Sequence, residues 1–228
     1  MPNSLTPGSE PDKTVDTNSE NPKPITRGPH AKRTAIMRRK LIDAATWCLG
    51  EFGFGGTTMQ RITDKAGVSR GAFLHHFPTR TDLLIAVAEN AVLQQNRVVA
   101  NRLGDAKPGR DLFDAITMAT WEAMMKPEAI ALLEIMMGAR SDPDLKKTFP
   151  SFIENLQTRQ KEGVWATAKA IGITDRDTII SMVHLHVAAM RGLLLEYMYS
   201  GDFTAATKSM QLLSSYKDNL TETLLKKG

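Results

Sequence analysis

The stretch from Ala66 to Phe77, AGVSRGAFLHHF, combines residue types that usually serve different purposes. It holds two adjacent histidines, an arginine, two phenylalanines and two glycines, and Pro78 follows directly. It could form a metal or catalytic site, a piece of core, or a surface that recognises another molecule. Neighbouring residues on a helix point about 100° apart, so His75 and His76 are poorly placed to share one metal ion.

The local signals in this stretch predict two short helices joined by a tight turn. Gly67 suits the left-handed position after a helix that runs from Met59 to about Ala66. Ser69 is a candidate N-cap for a second helix, which has to end by Phe77 because a proline follows. Together with a longer preceding helix, this arrangement predicts a helix-turn-helix, with Phe73 and Phe77 anchoring the second helix. The outward side would then carry Arg70, Gly71, Leu74 and His75.

The segments on either side of this motif are also predicted to be helical. An apolar stripe from residue 34 onwards indicates a first helix that ends at the glycines of residues 53–56; the stripe consists of Leu41, Ala45, Cys48 and Phe52. Thr57 is predicted to cap the next helix, with Gln60 completing a capping box. A long fourth helix is predicted to start at residues 79–82 and to reach about Leu103.

Positive charge is concentrated around the same motif. The formal net charge of the chain is +4, whereas residues 31–80 alone carry nine basic and three acidic side chains. Residues 1–30 and residues 81–228 each sum to −1. Such a concentration is typical of a surface that binds a polyanion, although a solvated basic surface without a partner is also common.

The rest of the sequence predicts an all-α protein of about nine helices. Residues 1–32 are rich in Pro, Ser, Thr and Asn and are expected to form a disordered arm; residues 33–79 form the helix-turn-helix domain and residues 80–228 a second helical domain. The single cysteine, Cys48, excludes an internal disulfide, and no signal peptide or membrane-spanning run is recognised. A soluble, cytoplasmic protein is expected.

Residues 34–84 resemble the DNA-binding domain of the TetR family of bacterial transcriptional regulators. The resemblance covers about fifty residues in order and at the family's spacing. The residues that carry it are Ala44-Ala45, Phe52-Gly53, Gly56-Thr57-Thr58, Ile62, Ala66-Gly67-Val68-Ser69, Gly71 to Phe77, and Arg80 to Leu84.

The resemblance implies particular contacts with DNA. Arg70 would read a base, His75 and His76 would meet base edges or the backbone, and Thr57 or Thr58 would bind phosphate, as would Arg80. Ser69 and Gly71 belong to the same surface. Leu74 departs from the family, which often has a tyrosine there, so a hydroxyl donor is replaced by hydrocarbon that could meet a thymine methyl group.

For the second domain, the resemblance implies dimerisation and the binding of a small-molecule effector. Residues 177–199 are apolar nearly all round, which predicts burial against the bundle and against a partner subunit. The candidate effector contacts are Trp121, Met124, Met137, Trp165, His184 and Arg191. Core packing explains the methionines and tryptophans equally well, and a salt bridge within or between subunits explains His184 and Arg191.

These features predict a homodimeric transcriptional regulator, a repressor that binds a palindromic operator and responds to an effector. No cofactor, metal or membrane partner is expected. Two alternatives stay open: a helical small-molecule-binding or enzymatic protein with a vestigial DNA-binding domain, and a DNA-binding regulator that needs no ligand.

Overall fold

The computed structural model describes residues 29–226, and this part of the chain is built from nine α-helices without a strand. The all-α prediction is confirmed. The helices are α1 (Pro29–Gly56), α2 (Met59–Ala66), α3 (Arg70–His76), α4 (Arg80–Leu103), α5 (Arg110–Met124), α6 (Pro127–Gly138), α7 (Leu145–Ala170), α8 (Arg176–Ser200) and α9 (Phe203–Leu225).

The first three helices pack as an N-terminal head around a shared core. Leu41, Ala45 and Cys48 are fully buried, as their spacing predicts. The prediction was wrong for Phe52, which is 39% exposed. Its ring lies beneath the guanidinium of Arg61 at 4.2 Å and against the edge of Trp47, so it covers the surface of the head instead of filling the core.

Helix α1 begins earlier than predicted and ends at the predicted glycines. It begins at Pro29, inside the segment 1–32 that was expected to be disordered; residues 1–28 of that arm lie outside the described residues. Near its other end, Gly53 adopts a φ of 67° and a ψ of −180°, which bends the helix sharply. The positive φ favours glycine at this position.

Helix α2 is capped by the second of two adjacent threonines. Thr58 accepts a hydrogen bond from the backbone N–H of Arg61, whereas Thr57 is buried and donates its hydroxyl to the Gly53 oxygen at 2.7 Å. The predicted cap at Thr57 was therefore wrong by one residue. The bend at Gly53 places that carbonyl within reach of Thr57 and leaves Thr58 at the helix start.

The other helices form a bundle joined to the head by α4 and α6. Helix α4 starts with a capping box between Thr79 and Asp82, and it packs against α1, α5 and α6. Helix α6 packs against both α1 and α4, so it touches the head directly. A second core lies among α5, α7, α8 and α9.

Helix α8 qualifies, by length and composition, as a possible membrane span among residues 29–226, contrary to the prediction that no run would do so. A core helix of a soluble protein meets the same criterion. One face of α8 packs against α7 and α9 and is buried, with Met182, Val183 and Met190 pointing inward. The opposite face also carries apolar side chains, including Leu185 and Leu195.

Candidate nucleic-acid interface and cavity

The turn between α2 and α3 has the predicted geometry. Gly67 adopts a left-handed conformation, with φ 60° and ψ 46°, and its N–H donates to the Asp64 oxygen. Ser69 caps α3 by accepting from the N–H of Ala72 at 3.1 Å. Because the turn and both helix ends are fixed by local hydrogen bonds, the position of α3 relative to α2 is set before any partner binds.

Two phenylalanines fix α3 to the head. Phe73 and Phe77 are buried, with ring centroids 6.4 Å apart. Their burial turns the opposite side of the helix outward, so Arg70, Gly71 and His75 are exposed and Leu74 is 40% exposed. The outward set predicted from the sequence is confirmed.

Arg70 is the first residue of α3 and its guanidinium is uncommitted. Within residues 29–226 it makes no hydrogen bond, ion pair or ring contact with another side chain. Two other cations of the head are engaged with their surroundings: Lys65 lies 3.5 Å from the centre of the Trp47 ring, and Arg39 pairs with Asp43 at 2.8 Å. Arg70 is thus free to donate its fork of N–H groups to an external acceptor.

The two histidines occupy the last turn of α3 in different surroundings. Their ring centroids lie 5.0 Å apart in an edge-to-face arrangement, with His75 exposed and His76 partly buried. Burial, and then the charges of His75 and Arg38, lower the pKa of His76. Arg38 also donates to the backbone oxygen of His76 at 2.6 Å and lies over the Phe77 ring, which ties α1 to the end of α3.

Thr57 and Thr58, the two predicted phosphate contacts, have different environments. The hydroxyl of Thr57 is buried and bonded inside the head, which removes it from any surface. Thr58 is exposed at the start of α2, where backbone N–H groups and the helix dipole favour an anion. Of the pair, only Thr58 is placed to meet a phosphate.

Arg80, the third predicted phosphate contact, is held by groups within the chain. Its Nε donates to the Thr57 oxygen at 3.0 Å, its Nη2 donates to the Phe54 oxygen at 2.9 Å, and Nη1 lies 3.5 Å from Asp142. Burial lowers its pKa, and the Asp142 carboxylate opposes that effect. Arg80 thus joins the end of α1 to α4 and to the loop before α7, and we do not retain it as a phosphate contact.

Helix α6 makes a second connection to the same bend in α1. The Glu134 carboxylate accepts from the Phe54 N–H at 2.9 Å. The Phe54 ring lies so close to Gly138 that a β-carbon there would come within 2.2 Å of it. Movement of α6 would therefore be transmitted to Phe54 and to the head.

The bundle encloses a cavity of about 380 Å³ between α4 and α8. Most of its lining is aliphatic or methionine, including Val99, Leu132, Leu133 and Met136. The polar lining consists of Gln95, Asn96, Thr120, Arg159, Gln160, Thr167 and Arg191. A largely apolar cavity with a few polar groups is typical of small-molecule sites.

Two of the six predicted effector contacts, Met124 and Arg191, line this cavity. Trp121 is buried in the second core and Trp165 packs against that core. Met137 is 39% exposed, and exposed His184 borders a separate shallow cleft between α7 and α8. The polar residues of α4 and α7 that line the cavity were not predicted as effector contacts, because their position depends on how helices distant in sequence pack. Their sequence signal was polarity at positions that face inward.

The comparisons with known proteins agree with the fold and with the head. The family described as "Bacterial regulatory proteins, tetR family" matches residues 41–87, from α1 to the first part of α4. The transcriptional regulator CymR of Pseudomonas putida is 29% identical over 176 residues, which span 77% of this chain and 86% of CymR. The transcriptional repressor AcnR of Corynebacterium diphtheriae is 25% identical over 75% of this chain and 85% of its own.

A solved structure extends the agreement to the whole fold. A transcriptional regulator from Rhodococcus sp. Rha1 superposes with a TM-score of 0.61 at 20% identity, covering 83% of this chain and 96% of that one. At that identity the likeness concerns the fold alone. The family match over residues 41–87 shows that the head is a DNA-binding domain of the TetR type, and the two curated relatives, each matched over most of its length, are transcriptional regulators.

Proposed function

We propose that the protein is a repressor that binds a two-fold symmetric operator as a homodimer and releases it when an effector fills the cavity. The observation that carries the DNA-binding part is the exposed, unengaged guanidinium of Arg70 at the start of a helix held rigidly by Phe73 and Phe77. A guanidinium so placed can donate two hydrogen bonds to the O6 and N7 atoms of guanine. The name of AcnR, a repressor, supports repression over activation.

The remaining contacts follow from which other residues near Arg70 are exposed or partly exposed. Ser69, Gly71, His75 and His76 lie on the turn and on α3, and Leu74 presents hydrocarbon suited to a thymine methyl group. Thr58, at the start of α2, would bind a phosphate and fix the register of the head on the duplex.

The dimer is proposed from the outer faces of α8 and α9. Burial of the apolar side chains that these faces expose would stabilise a dimer relative to the monomer. They are Leu185, Leu195, Tyr199, Leu212 and Tyr216. Helices α8 and α9 pack against each other, so both faces belong to the same part of the bundle. A second copy of the chain provides the same surface in return, which is the isologous contact of a two-fold dimer.

Helices α4 and α6 would couple effector binding in the cavity to the position of the head. Both helices line the cavity, and both contact α1. An effector that binds one spacing of the two heads better than the other shifts the population toward that spacing. Couplings of about 1–3 kcal/mol change operator affinity roughly 5–150-fold.

The two alternative functions differ in what they require. An enzyme would need reactive groups in the cavity, and the lining within residues 29–226 contains neither a carboxylate nor a cysteine. A regulator without a ligand would need a filled interior, whereas the bundle contains a cavity of about 380 Å³. We therefore favour binding without turnover, in the cytoplasm where the operator is.

Selection of DNA fragments by the purified protein tests this function. The proposal predicts enrichment of a sequence with two-fold symmetry, whose half-sites are about 34–36 Å apart, centre to centre, or a multiple of that. Failure to enrich any sequence at low salt would contradict it. Footprinting of the enriched fragment then reports whether one or two half-sites are covered.

A further inference from the structure

We infer that the effector is an apolar organic anion, whose charged group binds Arg191 at the α7–α8 side of the cavity. This inference rests on the proposal that the cavity is the effector site. It goes further by naming the chemical class of the ligand and the residue that selects it.

The charge of the cavity lining is entirely positive. Of the 22 described residues that line it, two are arginines, Arg159 and Arg191, and none is acidic. Gln95, Asn96 and Gln160 add amide N–H donors, which also suit an anion. An organic cation would be repelled by the two arginines and could interact favourably only with the amide dipoles of this lining. An anion can pair with both guanidinium groups.

No carboxylate in the described part of the chain pairs with Arg191. It is partly buried, and burial is the only cause of its lowered pKa, without an opposing carboxylate. Within residues 29–226 it makes no hydrogen bond or ion pair. A desolvated cation without a partner is costly, and an anionic ligand would remove that cost while binding.

The position of Arg191 on α8 favours a ligand over a partner subunit as its counter-charge. The side chain borders both the large cavity and the shallow cleft between α7 and α8, where Gln157, Gln160 and Lys161 are its neighbours. This is the side of α8 that faces α7. Leu185, on the apolar face proposed for dimer contact, lies about 120° around the helix from Arg191.

The apolar part of the ligand would occupy the space between α4 and α6. Val99, Leu103, Leu132, Leu133 and Met136 line that region and can pack against a ring or a branched hydrocarbon. A neutral apolar molecule would fit the same space but would leave Arg191 unpaired.

Two fluorescent probes with the same ring system test the inference. 1-Anilinonaphthalene-8-sulfonate is an apolar anion, and N-phenyl-1-naphthylamine is its analogue without the sulfonate. The inference predicts that the wild-type protein binds the sulfonate at one site per chain, and that Arg191→Gln weakens this binding about tenfold. Affinity for the neutral probe should be unchanged.

Two further variants locate the effect. Arg140→Gln removes an equal charge from an exposed arginine outside the cavity, and it should leave both affinities at the wild-type value. Met136→Trp fills the cavity and should abolish the binding of both probes. Equal loss of the sulfonate in Arg191→Gln and Arg140→Gln, or sulfonate binding that survives Met136→Trp, would overturn the inference.

The proposed function can fail separately from this inference. Operator binding by Arg191→Gln is measured in parallel, and it should equal that of the wild type because Arg191 lies on α8, which packs against α5, α7 and α9. Operator binding that the sulfonate leaves unchanged, although it occupies the cavity, contradicts the effector mechanism but not the charge preference. The reverse result, release of operator by the neutral probe alone, contradicts the anion inference and leaves the repressor intact.

Discussion

Arg80 donates a hydrogen bond from Nη2 to the backbone oxygen of Phe54 at 2.9 Å, across the junction between α1 and α4. The same guanidinium lies 4.5 Å from the centre of the Phe54 ring and reaches the Thr57 oxygen through Nε. The family resemblance assigns Arg80 to a DNA phosphate. In the structure, Arg80 instead connects the head to the bundle through these contacts.

Substitution of Arg80 should distinguish a structural role at the junction of α1 and α4 from a role as a phosphate contact. Arg80→Gln and Arg80→Lys both lose the guanidinium that donates to two backbone carbonyl oxygens. Each should therefore lower the free energy of unfolding by about 1–3 kcal/mol. The salt dependence of operator binding should not change. A slope reduced by about one in Arg80→Gln but not in Arg80→Lys would restore Arg80 as a phosphate contact.

Close packing of Phe54 against α6 predicts that Gly138 tolerates no side chain. Gly138→Ala would place a β-carbon 2.2 Å from the Phe54 ring and should destabilise the protein by about 1–3 kcal/mol in chemical denaturation. Gly50→Ala is the matched control, since no atom of residues 29–226 lies within 4 Å of its β-carbon position. It should leave stability equal or raise it by up to about 1 kcal/mol. Equal stability of the two variants would contradict the packing.

The turn and α3 could be predicted from the sequence, because residues close together in the chain determine them. A left-handed glycine, a serine cap and a following proline define α3 within twelve residues, and the buried phenylalanines determine its outward face. The choice between Thr57 and Thr58 could not be made, because both are good caps and the bend at Gly53 decides between them.

The cavity was predicted less well, because no local pattern defines it. Large flexible side chains indicate where packing is adaptable, but Trp121 and Trp165 fill the second core while Gln95, Arg159 and Gln160 line the cavity. Those three become neighbours of Arg191 only when α4, α7 and α8 come together. The partner of Arg80 in α1 depends equally on tertiary packing.

The proposed dimer surface predicts a specific loss of assembly. Leu185→Glu places a charge on the apolar face of α8 and should convert a dimer of the 25.2 kDa chain into a monomer, measured by sedimentation equilibrium. Operator affinity should fall with it, because one half-site contact is lost. Leu93→Glu is the control: Leu93 is 48% exposed but lies on α4, and that variant should remain dimeric. Dimerisation of Leu185→Glu would place the interface elsewhere.

Lys217 predicts a stability change at high pH. Its ammonium is buried under α5, donates to the backbone oxygens of Phe113 and Asp114, and lies over the Phe113 ring. Burial lowers its pKa from 10.5 to about 8. Between pH 8 and 10.5 the unfolded chain keeps this proton while the folded protein loses it, so the Lys217 contribution to stability rises with pH in that window.

A comparison with Lys217→Met isolates this contribution from the other titrating groups. The unfolding free energy of the wild type should gain up to about 3 kcal/mol relative to the variant between pH 7.5 and pH 10.5. Urea denaturation across this range measures it. A difference between the two proteins that stays constant with pH would show that the pKa of Lys217 is not lowered in the folded state.

The operator specificity of Arg70→Ala shows most directly whether α3 reads DNA through Arg70. Affinity for the selected operator and for unrelated DNA of equal length is measured at one salt concentration, with Arg140→Ala as a control that removes an exposed cation outside the head. We expect Arg70→Ala to lose about 1–3 kcal/mol of operator affinity per half-site, with much less change on unrelated DNA. Operator and unrelated affinities that fall by the same factor, or that match those of Arg140→Ala, would contradict it.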